Sequence, residues 1–310
     1  MFRYLTSHDF DKGNIVSMEF NNKKSKELEK LIQAVNESDI SSFRKMVMLL
    51  IAVINNPRSN VKDLKVIIEM DPVLSARLLR LANSAYYNPG RRIGKLQDAI
   101  VRIGFNTVKE LAFSQKVGEL FQKNESLHEY SRSALWEHSV AVALCCKFIY
   151  LKELVKSGDN VYIVGLLHDL GIIIEDQFMR DKFEEALVRS QNEKCNLVEA
   201  EKNVIGFDHS KIGEALTSDW NFPKESVSAI AYHHEPNKVD SEFKEIVSVL
   251  YISDYICQRN EIGYCDAFYG NKTDYENCLK FLKITEESMN NAIENVQQII
   301  QKMKDGGWFS

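Results

Sequence analysis

The sequence predicts an almost entirely α-helical protein, and two of its features carry that prediction. Only five prolines and fourteen glycines interrupt the 310 residues, so few positions break a regular backbone. Most apolar residues also recur at the spacing of an amphipathic helix. Hydrophobic residues make up 45% and charged residues 27% of the chain, the composition of a globular protein that buries a sizeable core. We therefore expect one main helical domain with a helical extension.

Residues with capping chemistry mark where several helices begin. Asp71 precedes Pro72, and this pairing of an N-cap residue with a first-turn proline predicts a helix that runs through Leu81. Further helices are expected to start at Asn106 and at Pro223.

Apolar periodicity places the remaining helices. The stretch from Ala134 to Leu154 predicts one long helix, and a shorter helix is expected from Val161 to Leu170, with Gly171 as its C-cap. Residues 157–160 between them have the composition of a turn. The C-terminal part predicts three helices, over Phe243 to Cys257, Asn277 to Lys283 and Glu286 to Met303.

Charge and local composition narrow the classes of function. The formal net charge of -5 argues against binding to a polyanion, so we do not expect nucleic acid as a partner. Residues 1–13 contain no apolar core of a signal peptide, and the longest apolar run, Met46 to Ile54, is too short to cross a bilayer. The six cysteines form no CxxC pair and are expected to be reduced thiols. These features predict a cytoplasmic protein with no membrane partner.

A cluster of histidines is the main chemical signal. Imidazole is the commonest neutral metal ligand, and a carboxylate beside it suits iron, manganese or zinc. His168 and Asp169 are such a pair, and they end an apolar stretch that begins at Val161, so their burial requires compensation. Metal coordination would supply it, with further ligands from facing helices at His138 and Asp254. Five of the seven histidines fall in this part of the chain: His138, His168, His209, His233 and His234.

Structural interpretations of the same residues stay open. A single histidine on an apolar helix is more often a hydrogen-bonded core residue than a ligand, and His138 alone would be interpreted so. Asp208 at a helix start is equally consistent with a simple N-cap that leaves His209 exposed. On a helix, His233 and His234 would point about 100° apart, so at most one of them need face a given site.

The order of the histidine motifs resembles a known family. The motif His168-Asp169-Leu170-Gly171 is similar to the signature of the HD superfamily. The surrounding order resembles its HDOD branch: WEHS at 136–139, GLLHDLG at 165–171, GFDHSKIG at 206–213 and AYHHEP at 231–236. The segments 69–88 and 98–114 also resemble the N-terminal half of an HDOD domain. The resemblance covers roughly residues 38–236.

The resemblance implies an HD-superfamily helical bundle that acts in bacterial signal transduction as a regulatory module. It divides the chain into an N-terminal segment (1–37), an HDOD domain (38–236) and a helical C-terminal extension (237–310). The related HD-GYP phosphodiesterases hydrolyse cyclic di-GMP with two or three metal ions. The metal positions carried over from them are His138, His168, Asp169, His209, His233, His234 and Asp254.

Three departures from the enzymes bear on catalysis. Ile172 stands where they have a lysine that binds substrate phosphate, and an isoleucine cannot neutralise an anion. The Gly-Tyr-Pro element expected shortly after Pro236 is absent. Ala134 replaces a glutamate that holds an extra metal ion in some relatives, so the resemblance implies a centre of one or two ions.

Two functional hypotheses follow. The first is a non-catalytic regulatory module that binds a signalling protein or a small nucleotide ligand, including a nucleotide sensor without turnover. The alternative is a metal-dependent phosphohydrolase or phosphodiesterase, in which Asp169 is the catalytic residue and orients or deprotonates the attacking water.

Overall fold

Helices make up almost all regular structure in the part of the chain that the computed structural model describes, which is residues 25–305 except 39, 57, 85, 86, 88, 89, 91, 123–125 and 267. The all-α prediction is confirmed. Helix α1 spans residues 25–37. It is followed by α2 (Ile40–Asn55), α3 (Val61–Glu69), α4 (Pro72–Ala82), α5 (Leu96–Ile103), α6 (Phe105–Gly118), α7 (Arg132–Phe148), α8 (Asp159–Leu167), α9 (Leu170–Phe178), α10 (Arg180–Glu193), α11 (Leu197–Val204), α12 (His209–Asp219), α13 (Lys224–Tyr232), α14 (Lys244–Arg259), α15 (Lys272–Leu282) and α16 (Glu286–Asp305). The first 24 residues of the predicted N-terminal segment lie outside the described residues.

The extended strands in this part of the chain form one small hairpin. Strand β1 (Ser126–Leu127) pairs antiparallel with β2 (Tyr130–Ser131) just before α7. Single 3₁₀ turns at Glu119–Phe121 and Ser241–Phe243 complete the regular structure together with a π-helical turn at Ile149–Glu153.

Helix starts follow the predicted capping chemistry closely. The Asp71 carboxylate accepts hydrogen bonds from the backbone N–H groups of Val73 and Leu74 at 2.9 and 3.0 Å, and α4 begins at Pro72 as expected. Helix α6 begins one residue earlier than predicted, because Gly104 adopts a φ of 101° that ends α5 and starts α6 at once. Glycine accepts this backbone conformation without a steric penalty. Pro223 is the N-cap of α13 rather than its first residue.

Helix α7 lies at the centre of the bundle. It contacts α8, α14 and α16, and the π-helical turn at its end extends it to Glu153, close to the predicted limit of Leu154. Residues 132–153 are long and apolar enough to cross a membrane by length and composition, but 67% of the apolar window is buried inside the fold. Such burial is that of a core helix, since a helix hydrophobic on all sides also suits the interior of a globular protein.

The predicted helix from Val161 to Leu170 is present, but its predicted end and the role of Gly171 as its C-cap are wrong. Helix α8 ends at Leu167, α9 begins at Leu170, and His168 and Asp169 lie at the break. Gly171 is in the first turn of α9, where an added Cβ would lie 2.0 Å from the carbonyl oxygen of His209. The glycine therefore serves a close approach between α9 and the start of α12.

The C-terminal helices share one hydrophobic core with the rest of the described chain. Helix α14 packs against α7, α8 and α13, while α15 packs on α14 and α16 on α7. The predicted helix from Asn277 to Lys283 starts earlier, at Lys272, because Asn271 caps it by accepting from the N–H of Thr273. This packing places α14 within reach of the histidines.

Candidate metal centre

The seven residues singled out from the sequence converge where α7, the α8–α9 break, the start of α12, the end of α13 and α14 meet. Six of them are buried and His234 is partly exposed. They form two groups, and within each group one ligand atom per residue lies within 4.8 Å of all the others. We call them the His138 group (His138, His168 and Asp254) and the His209 group (Asp169, His209, His233 and His234).

Asp169 joins the two groups through its two carboxylate oxygens. Its Oδ2 lies 3.1 Å from Nε2 of His168 and 3.9 Å from Nε2 of His138. Its Oδ1 lies 3.5 Å from Nε2 of His209 and 3.6 Å from Nε2 of His233. Asp254 adds a second carboxylate on the far side of the His138 group, 3.0 Å from Nε2 of His138. Because its two oxygens face different groups, the Asp169 carboxylate can contact an ion in either group.

Backbone carbonyls fix the orientation of three imidazoles. Because a carbonyl oxygen only accepts, each Nδ1 must carry the proton and donate, which leaves the lone pair of Nε2 directed into the centre. Metal-binding histidines show this arrangement, in which an outer partner holds the other ring nitrogen. The three pairs are His138 with Ile262 at 3.3 Å, His168 with Gly165 at 2.8 Å and His233 with Ile230 at 2.7 Å.

His209 has a different outer partner, the carboxylate of Glu201. Nδ1 of His209 donates to Oε2 of Glu201 at 2.8 Å, and the backbone N–H of His209 donates to the same oxygen at 3.0 Å. Burial lowers the pKa of His209, but Glu201 outweighs that effect and raises it to about 9. Sequence reasoning missed Glu201. The sequence did contain a signal for it, because Glu201 lies on the same face of α11 as the buried residues Leu197 and Ala200. An acidic residue on an apolar face is expected to have a polar partner.

The donor set fits a divalent metal ion. The Nε2 atoms of His168 and His233 are buried and make no hydrogen bond among the described residues, and buried polar atoms of this kind require a partner. Burial favours the neutral form of Asp169, yet the neighbouring imidazoles of His168, His233 and His209 hold its pKa well below the usual value. Imidazole nitrogens around an ionised carboxylate suit iron, manganese or zinc.

Two structural alternatives left open by the sequence are now decided. Asp208 is the N-cap of α12, accepting from the N–H of Lys211, but His209 is only 2% exposed, so the interpretation with an exposed His209 is wrong. Helix α13 ends at Tyr232, so the helical projection does not separate His233 from His234. The centroids of their rings are 3.9 Å apart, and both residues belong to the His209 group.

A cavity of about 430 Å³ opens onto both groups. Ile172, which stands where the related enzymes have a lysine, contributes an apolar wall to this cavity. Among the lining residues that the structure describes, Lys202 is the one lysine or arginine, and it forms an ion pair with Asp208 at 2.9 Å. Apart from its histidines, the cavity therefore offers an anion one lysine, whose charge is already paired.

A polar network that sequence reasoning missed supports the cavity from the C-terminal extension. Gln258 donates to Asp254 at 3.4 Å and accepts from the N–H of Asp266 at 2.9 Å. Asp266 in turn accepts from the N–H of Leu197 at 2.7 Å, at the first residue of α11. The network ties α14 to the helix that carries Glu201, so the extension is part of the site.

The family model of the HDOD domain matches residues 40–236 of the chain. The chain belongs to the HDOD domain family. Two curated relatives are an uncharacterised protein of Treponema pallidum, 24% identical over 267 residues that cover 80% of this chain and 47% of the relative, and the uncharacterised protein YuxH of Bacillus subtilis, 23% identical over 176 residues that cover 54% and 42%. The HDOD chain thus matches less than half the length of each.

Three solved structures share the fold of this HDOD protein. An HDOD domain protein with unknown function from Geobacter sulfurreducens has a TM-score of 0.70 and 24% identity, covering 84% of this chain and 90% of that one. A candidate phosphohydrolase from Shewanella amazonensis has a TM-score of 0.65 and 23% identity, covering 90% and 98%. A candidate signal transduction protein from Marinobacter aquaeolei has a TM-score of 0.65 and 19% identity, covering 86% and 58%.

Proposed function

We propose that this HDOD protein is a cytoplasmic regulatory module of bacterial signal transduction whose His/Asp centre binds divalent metal, with a signalling protein or a small nucleotide as its partner. The observation that carries metal binding is the pair of buried Nε2 atoms of His168 and His233, which face the carboxylate of Asp169 and make no hydrogen bond to any residue that the structure describes. Without an ion, the burial of these two nitrogen atoms costs free energy, because they lose their hydration and no other partner among the described residues replaces it. Iron, manganese and zinc are the expected metals.

The cavity beside the centre supports binding without turnover. Phosphoryl chemistry requires cationic groups where negative charge develops, and loss of one such contact can lower the rate by orders of magnitude. Here Ile172 lines the wall, and Lys202 is already paired with Asp208. The carboxylates of Asp254 and Asp266 line the same cavity and would oppose the additional negative charge that develops during phosphoryl transfer. A ligand is therefore expected to be retained by the centre rather than consumed.

A metal-dependent phosphohydrolase is the second candidate, and the position of Asp169 between the two groups favours it. A divalent ion would supply the Lewis acidity that polarises a phosphate or lowers the pKa of a water. Asp169 lies close to the ligand nitrogens on both sides, so it is the residue placed to orient or deprotonate that water. The fold shared with the candidate phosphohydrolase of Shewanella amazonensis agrees with this alternative.

Removing two central ligands tests metal binding. The double variant His168→Ala with Asp169→Ala should lose most of its metal while remaining helical, because the apolar core is made by many other residues. Elemental analysis of protein purified without added metal gives the stoichiometry, and circular dichroism gives the helical content. A well-folded double variant with the metal content of the wild type would contradict the proposal.

Turnover of cyclic di-GMP separates the regulatory module from the enzyme. The wild-type protein loaded in turn with iron, manganese and zinc should not hydrolyse cyclic di-GMP at a typical enzymatic rate of about 1 per second or more. A chromatographic time course measures product, with His168→Ala as the blank. If turnover reaches that rate with any of the metals and disappears in the blank, the phosphohydrolase alternative replaces the regulatory one.

A further inference from the structure

Glu201 distinguishes the two halves of the centre. It is fully buried on α11, and its carboxylate receives both the Nδ1–H and the backbone N–H of His209. In the His138 group, by contrast, Nδ1 of both histidines donates to a neutral carbonyl. Among the described residues, a charged outer partner therefore holds an imidazole only in the His209 group.

A second buried carboxyl group, that of Glu175, neighbours Glu201. Glu175 is fully buried on α9, and neither of its oxygens meets a hydrogen-bond donor among the described residues; its carboxyl neighbour is Glu201. Burial, with the nearby charge of Glu201, raises the pKa of Glu175 well above its usual value. Glu201, by contrast, accepts both the Nδ1–H and the backbone N–H of His209, the arrangement that suits a carboxylate.

The charge on Glu201 matters for the far nitrogen of the ring. A carboxylate attracts the Nδ1 proton more strongly than a carbonyl does, and this raises the basicity of Nε2, the atom that would contact the metal. The same two hydrogen bonds hold the ring and the first residue of α12 in one orientation, so little side-chain freedom remains to be lost when an ion binds.

We infer that Glu201 is a positioning residue that makes the His209 group the tighter of two metal sites, so that it fills before the His138 group. The inference rests on the proposed metal binding and adds an order to it. Glu201 lies outside the seven predicted ligands and acts only through His209.

Titration of metal-free protein with Mn²⁺ tests this order. Isothermal titration calorimetry gives the dissociation constants, and electron paramagnetic resonance counts the bound ions. The wild type should show one tight and one weaker binding step for Mn²⁺.

Glu201→Gln preserves the shape of the side chain and an acceptor oxygen but removes the charge. It should weaken the tight binding step by about 10- to 100-fold, the usual effect of losing an outer partner. Glu185→Gln, an exposed residue on the adjacent α10, makes the same charge change away from the centre and should titrate as the wild type does.

A reciprocal variant tests the order in a protein that retains Glu201. His138→Ala removes a ligand of the other group and should lose the weaker step while keeping the tight one. Loss of the tight step in His138→Ala, or an unchanged tight step in folded Glu201→Gln, overturns the inference while leaving metal binding itself in place. A wild type that binds no Mn²⁺, iron or zinc would defeat both the proposed function and this order.

Discussion

Helices α2–α5 and the metal centre bury different kinds of side chain. Among the side chains described in α2–α5, every buried one is apolar, with Leu50 and Leu64 fully enclosed. Apolar burial contributes about 25 cal/mol per Å² to folding, whereas a buried charge is costly unless it is paired and hydrogen-bonded. Helices α7–α14 bury many ionisable groups, including His138, Asp169, Glu175, Glu201 and Asp254. The comparison teaches that α2–α5 mainly stabilise the fold, while the centre buries polar groups that an apolar core does not need.

The largest expected effect on stability is in α2. Leu50→Ala would remove a fully buried side chain and leave a cavity, lowering the free energy of unfolding by about 2–5 kcal/mol. The metal content of the folded protein should not change, because α2 contributes no ligand. Chemical denaturation measures the first quantity and elemental analysis the second. A fall in metal content in folded Leu50→Ala would show that the two regions are coupled.

Gly171→Ala should affect both stability and metal binding. The new Cβ would meet the carbonyl oxygen of His209 at 2.0 Å, so the start of α12 must shift. Forced overpacking costs about 1–3 kcal/mol, and the shift is expected to change the position of the His209 imidazole relative to Asp169.

The matched control for Gly171→Ala is Gly94→Ala, since nothing lies within 4 Å of a Cβ added at Gly94. Thermal denaturation and Mn²⁺ titration of both variants should show losses only for Gly171→Ala. A destabilised Gly171→Ala with the Mn²⁺ affinity of the wild type would mean that His209 is not held by this contact.

Most of the fold could be predicted from local signals in the sequence, whereas the seven central residues were predicted as a set from the resemblance to the HD superfamily. The N-cap of α4 depends only on Asp71 and its next residues, and the histidine motifs lie in short segments. The role of Gly171 could not be predicted, since its sequence position suits a helix C-cap and only the packing of α12 requires the missing Cβ. Tertiary contact decided against the local signal.

The outer partners of the histidines were equally hidden from the sequence. The carbonyl oxygen of Ile262 belongs to a residue of no chemical interest, and it binds the imidazole of His138 only because α7 and the chain after α14 meet. Glu201 is one glutamate among many until the fold places it against His209. The predicted ligand roles remain predictions, whereas the convergence of the side chains is a property of the structure.

The smallest expected effect is at the N-cap of α4. One oxygen of Asp71 caps the helix, and the other accepts from Nζ of Lys116 on α6 at 2.8 Å. Asp71→Ala loses both interactions and should lower the free energy of unfolding by about 0.5–2 kcal/mol, the usual range for an N-cap. Asp71→Asn keeps an oxygen for the cap and should lose less. Neither variant should change metal content, because α4 lies outside the centre.

The stability difference between the wild type and the Asp71 variants should depend on pH in a definite direction. Burial favours the neutral form of Asp71, but hydrogen bonds from Lys116 and the helix N–H groups outweigh it and lower its pKa from the usual 3.8. A group with a lowered folded-state pKa stabilises fully above its unfolded pKa, and the contribution disappears as the pH falls through the folded value. The difference in unfolding free energy between wild type and Asp71→Asn should therefore be constant near neutral pH and shrink below about pH 4. Urea denaturation across this range measures it, and a difference that grows with acidity would rule out the Lys116 pair as its source.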